Sequence, residues 1–203
     1  SAPGPGAEVR GLKRAALSLD AGDVSRILRR GLTAGVVPAW MELISPALRE
    51  IGSHEEMTGH QVAAEHLLSN VASAALAGVR RPSAPARILL ACADEEQHSL
   101  PLEALAAALA ERDTASRMLG ARVPTWALHD AIVRTGPAVV LLWSHTTRTA
   151  GHEQLRAVLA IRPRPVLVGA CGPGWSGRLP VGVLRPASLP EAVELLGRPL
   201  VGS

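Results

Sequence analysis

The sequence predicts an α/β protein, with an N-terminal four-helix bundle followed by a flavodoxin/Rossmann-like domain built on a five-stranded parallel sheet. Three observations predict it. From Ala7 to Val79 the apolar residues recur at helical spacing and never alternate strictly. Arg80-Arg81-Pro82-Ser83-Ala84-Pro85 then breaks the pattern with prolines and small residues. Beyond it, short runs rich in Val, Ile and Leu alternate with helical segments in the rhythm βαβαβαβαβα.

Each element has its own grounds. Residues 1–6 form a Pro/Gly/Ala leader expected to be disordered. The first helix places Val9, Leu12, Ala16 and Leu17 on one face, and Asp23 is the expected cap of a second helix reaching Leu32. A third helix, 38–51, carries Trp40, Leu43, Ile44, Ala47, Leu48 and Ile51 at helical spacing. A fourth, 60–79, is expected to turn Val62, Leu67, Val71, Ala75 and Leu76 inward. Short connections between four helices make a bundle. Residues 7–81 are therefore read as a helical cap, 82–86 as a linker and 87–203 as the sheet domain. In that domain, strands are expected at 87–93, 115–119, 138–143, 165–169 and 181–185. Helices are expected at 101–112, 125–134, 151–161 and 190–196. Val139-Val140-Leu141-Leu142 has no polar alternation, as a strand buried on both faces requires. Five strands in this rhythm suggest the order 2-1-3-4-5, with the switch point between the first and third.

Composition narrows the function. Lys and Arg total 21 against 18 Asp and Glu, a net charge of +3, with the arginines scattered and not blocked together. Nothing in that pattern calls for nucleic acid. Phe and Tyr are absent and only four Trp occur, which removes an aromatic platform for single strands. No apolar run approaches the roughly 18 residues that span a bilayer, and no secretory leader is evident. Two distant cysteines, Cys92 and Cys171, point to a reducing cytoplasm without a disulfide framework.

The chemistry gathers at one sheet edge. Asp94-Glu95-Glu96-Gln97-His98 follows the first strand and precedes an Ala/Leu-rich helix. The third strand ends in Trp143-Ser144-His145-Thr146, and the fourth runs into Gly169-Ala170-Cys171-Gly172-Pro173-Gly174-Trp175. Ligands of open α/β sheets bind at the carboxyl ends of strands near a switch point, so an imidazole, a hydroxyl and a glycine-rich loop are expected to line one crevice. Glycines there would let a ligand approach the backbone, although Gly172-Pro173-Gly174 taken alone reads equally well as a turn. Other chemistries lack their motifs. His54-Glu55 has no second histidine for a zinc hydrolase, no C-x-x-C occurs, and Ser144 lacks a G-x-S-x-G setting.

Glu96-Gln97-His98-Ser99-Leu100 resembles the D/E-x-H-x-x-G signature of cobalamin-binding domains, with Pro101 in place of the glycine. Ser144, the 169–175 loop and Leu119-Gly120-Ala121-Arg122-Val123-Pro124 resemble further segments of those domains. Ser45-Pro46-Ala47-Leu48-Arg49-Glu50-Ile51-Gly52 and Glu65-His66 resemble the helical cap of CarH-type photoreceptors and MerR-like regulators. The resemblance implies adenosylcobalamin held between cap and sheet domain, with His98 as the lower axial ligand of cobalt. It also implies that Glu96 orients His98, that Ser144 contacts the buried nucleotide tail, and that Gly169, Gly172 and Gly174 make room for it. The family carries Trp, nine residues, then Glu-His. Here the tryptophan position is Glu55, which leaves a wider space above the corrin that a bilin such as biliverdin would fill beside Glu55, Glu65 and His66. The implied function is a non-enzymatic light-sensing module without direct nucleic-acid binding, working as a homo-oligomer or with a downstream effector or DNA-binding domain. A corrinoid carrier of a methyltransferase system is the alternative, and a scaffold that has lost its ligand is a third.

Overall fold

A computed structural model of the chain describes residues 5–52 and 58–197. It divides into two compact units, residues 1–80 and 81–203.

The first unit is helical: α1 (Pro5–Leu17), α2 (Ala21–Leu32), α3 (Val36–Ala39), α4 (Ser45–Ile51) and α5 (Gly59–Ala77). A π-helical turn, Trp40–Ile44, joins α3 to α4, so the expected third helix is one run with a local widening. The cap of α2 is Asp20, whose carboxylate accepts the Asp23 N–H at 2.9 Å. Asp23 lies inside the first turn and pairs with Arg26, so the expected cap is corrected by one turn. Thr58 and Gln61 form a reciprocal capping box at the start of α5. That helix buries Ala64, Leu68, Ala72 and Leu76, while Val62 is exposed. The inward face is thus an Ala/Leu stripe that keeps the expected Leu76 and takes Leu68 and Ala72 in place of Leu67 and Val71. Apolar residues spread round the helix leave its phase to the neighbours that pack on it.

The second unit contains β1 (Ile88–Cys92), β2 (Ser116–Gly120), β3 (Val139–Trp143), β4 (Leu167–Cys171) and β5 (Val183–Leu184). They form one parallel sheet in the order β2-β1-β3-β4-β5, as expected from the sequence. The crossovers are α6 (Leu100–Glu111), α7 (Thr125–Thr135) and α8 (His152–Ala160), and α9 (Leu189–Leu196) follows β5. Leu89, Ala91, Val140, Leu142, Val168 and Ala170 pack with Leu128 and Ile132 of α7 and with Leu155 and Val158 of α8. The alternate residues, Ile88, Leu90, Cys92, Val139, Leu141 and Trp143, point to the opposite face. There α6 packs on β1, β2 and α9. Gly169 and Cys171 belong to β4, which starts and ends two residues later than expected. The Gly169 position carries no side chain because a Cβ there would sit 2.2 Å from Leu141 Cδ2.

Candidate functional site

The carboxyl ends of β1 and β3 meet in a hydrogen-bond hub centred on Glu96. Its side chain is 1% exposed, and its Oε1 accepts the His98 N–H at 2.8 Å and lies 2.6 Å from His98 Nδ1. Its Oε2 accepts the His145 N–H at 2.7 Å and the Thr149 hydroxyl at 2.6 Å. Burial alone would raise this carboxyl's pKa. The hydrogen bonds from Thr149, from the His98 and His145 backbones and from the His98 ring outweigh it and hold the pKa down at about 2. Glu96 is therefore a carboxylate at neutral pH, and His98 Nδ1 must carry the proton it shares with it. In the tautomer with the proton on Nδ1, Nε2 bears the lone pair, and no described residue bonds it. The His98 side chain is 58% exposed.

His145 stands beside His98, with ring centroids 4.6 Å apart and planes tilted by 38°. Desolvation of the ring and the neighbouring His98 lower its pKa, against an opposing pull from Glu96. Two left-handed residues, Glu95 (φ 63) and Arg122 (φ 51), lie at the rim and pair with each other at 2.8 Å. Arg122 N–H donates to the Glu96 carbonyl, tying the loop after β2 to the hub. Buried Gln154 fastens the same loops from below, accepting Asp94 N–H and donating to the Val123 carbonyl. The strand-end loops are pre-organised before any ligand arrives.

The structure brings together Glu96, His98 and Ser144 from the expected set. Ser144 is fully buried, and its hydroxyl donates to the Thr146 carbonyl at 2.9 Å and lies 2.8 Å from the Thr149 hydroxyl. Gly172 and Gly174 pack on the protein itself. A Cβ at Gly172 would fall 2.3 Å from the Ser144 carbonyl oxygen, and one at Gly174 would fall 2.5 Å from Ser144 Oγ. Glu65 and His66 belong to α5 of the other unit. Glu65 accepts the Ser69 hydroxyl at 2.8 Å, and His66, 71% exposed, lies 3.6 Å from the Glu65 carboxylate. Glu55 and His54 lie outside the described residues. His60 sits in the first turn of α5 with its ring against the Leu17 carbonyl. Thr149 and the role of His145 were not legible in advance, since loop residues carry no periodic signal, and Gln154, inside α8, is a polar residue on a buried face that its helical spacing does not announce.

These residues fit a metal-bearing macrocycle in one respect and not in another. A histidine held by a buried carboxylate on Nδ1, with Nε2 open, is the arrangement that fixes tautomer and orientation in metal-bound histidines. Among the described residues no group of three or more His, Cys, Asp or Glu side chains could hold a bare metal ion. The one ligand on offer suits a metal whose other ligands arrive with it. At Gly172 and Gly174, expected to make room for a nucleotide tail, the close neighbours are the protein's own Ser144, Trp143 and Thr146.

No protein-family profile matches the chain, and no curated protein matches it in sequence. Solved structures do. The monomethylamine corrinoid protein of Methanosarcina barkeri superposes with a TM-score of 0.69 over 91% of this chain and 94% of that one, at 12% identity. This chain has that corrinoid protein's fold. A cobalamin-binding protein from Desulfitobacterium hafniense DCB-2 matches at 18% identity and a TM-score of 0.49, covering 92% of this chain and 96% of that one. The methanol:cobalamin methyltransferase complex of Methanosarcina barkeri matches at 12% and 0.47, covering 93% and 78%. No described helix is long and apolar enough to cross a membrane.

Proposed function

We propose that this chain is a non-catalytic corrinoid-binding module in which His98 Nε2 ligates cobalt from below. The observation that carries the reading is the Glu96–His98 pair, a 2.6 Å contact between a buried carboxylate and Nδ1 that aims the other nitrogen outward. The bound corrinoid would supply a cobalt centre able to carry an alkyl group. The chain's own residues do the rest. Glu96 holds the Nδ1 proton and raises the basicity of Nε2, Thr149 and the His145 N–H hold Glu96, and Gln154 holds the loops.

Of the two uses of such a module, carriage of a methyl group between separate catalytic proteins is better supported than light sensing. It is what the fold shared with the monomethylamine corrinoid protein supports, over nearly the full length of both chains. Light sensing, adenosylcobalamin in particular and a bilin partner rest on sequence resemblance in the helical unit. Glu65, the described residue that would accept from a bilin, is engaged by Ser69.

The test is a visible-absorption titration of the full chain with aquocobinamide and with aquocobalamin. Saturable binding of either, with an imidazole-ligated spectrum that His98→Ala loses, supports the reading. Binding of neither refutes it. An adenosylcobalamin-loaded chain whose oligomeric state is the same before and after illumination would favour the carrier. A light-driven change of oligomeric state would favour the sensor.

A further inference from the structure

We propose that Trp143 plugs the crevice for a corrinoid's lower nucleotide, and that this site is built for corrinoids lacking that nucleotide. The inference rests on the corrinoid-binding reading above and narrows its ligand class.

Cys92, Trp143 and Cys171 lie abreast in register at the carboxyl ends of β1, β3 and β4, with the indole in the centre. Ser144 and Gly172, the residues the resemblance sets beside a buried lower base, directly follow Trp143 and Cys171 in this row. On one side the ring is closed in by the loop after β4: a Cβ at Gly172 (φ +100) would meet Trp143 Cε3 and Cζ3 at 3.0 Å. Beyond the row, the loops after β3 and β4 are fastened to each other. Ser144 N–H donates to the Cys171 carbonyl and Gly174 N–H to the Ser144 carbonyl, both at 3.0 Å. A Cβ on Gly174 would also strike the Thr146 carbonyl oxygen at 2.5 Å. Nothing can thread between loops bonded this way unless they part.

Trp143 also carries the one buried side-chain polar atom without a partner among the described residues, Nε1. A buried donor left unpaired is costly, so hydrogen bonding is not what holds the indole there. Its remaining role is to fill space. The chain thereby supplies a bicyclic aromatic ring of about the size of the base that a complete cobalamin would bring. The His98 side chain is 58% exposed, so it can still reach the metal of a macrocycle resting on the strand ends.

The experiment compares dissociation constants of aquocobinamide and aquocobalamin for the full chain, for Trp143→Ala and for Trp143→Phe. The wild type should prefer cobinamide by at least about ten-fold, the scale of a pocket misfit. Trp143→Ala should cut that preference by about ten-fold, and Trp143→Phe, which keeps the plug and removes the orphan N–H, should retain it. Circular dichroism checks folding. If Trp143→Ala does not fold, the wild type decides with a cobalamin carrying a fluorophore on the ribose 5′-oxygen: binding equal to unmodified cobalamin supports an excluded tail, and loss of binding overturns it. Cobalamin binding as tightly as cobinamide overturns the plug while leaving the corrinoid reading intact. A preference unchanged in folded Trp143→Ala does the same. Binding of neither ligand overturns both.

Discussion

Replacing Glu96 by glutamine tests the hub with almost no change in volume. The carboxylate accepts four hydrogen bonds, two on each oxygen. The amide oxygen can keep the His98 pair, which turns the amide NH2 towards the His145 N–H and the Thr149 hydroxyl. Thr149 can rotate, but the backbone N–H of His145 cannot, and an orphaned buried donor costs about 1–3 kcal/mol. Linkage gives a second measure of the same loss. A carboxyl lowered from 4.5 to about 2 in the folded chain stabilises it by about 3 kcal/mol at neutral pH. Because the folded pKa is the lower one, that stability is present above pH 4.5 and lost as pH falls towards 2. Urea unfolding of the ligand-free chain, followed by circular dichroism, should therefore show Glu96→Gln weaker by about 3 kcal/mol at pH 7. The gap should narrow by about 1 kcal/mol or more at pH 3.5. An unchanged midpoint at pH 7, or a gap independent of pH, would refute the hub as drawn.

Three further outcomes follow from the same geometry. Thr149→Val keeps shape but removes a donor to the buried carboxylate, and should cost about 1.5–3 kcal/mol in the same unfolding assay. Gly172→Ala should destabilise the ligand-free chain by about 2–4 kcal/mol, combining overpacking with a left-handed backbone; an unaffected melting curve would mean the glycine serves only a ligand. Cys92 and Cys171 are both pushed up to about 12. Burial is the main cause, with Glu96 and Glu103 adding to it at Cys92 and Glu191 at Cys171. Both should stay protonated and slow towards a thiol-disulfide reagent at pH 8, reacting fully once the chain unfolds.

By itself the sequence determined the division into a helical and an α/β unit, the strand order and the edge at which the chemistry gathers. Those are set by periodicity and by the Pro-rich break at 80–85, and parallel crossovers admit few topologies. Glu96 and His98 were legible because a short local motif places both in one turn. What tertiary structure alone decided is who uses the remaining groups. Ser144 and the glycines look the same in sequence whether a ligand or the next loop occupies the space beside them. The answer depends on Trp143, Thr146 and Thr149, brought in from β3 and its loop. The inward face of α5 was equally undecidable, since apolar residues spread round a helix leave its phase to its partners. A sequence records which groups a residue offers, while packing decides whether protein or ligand accepts the offer.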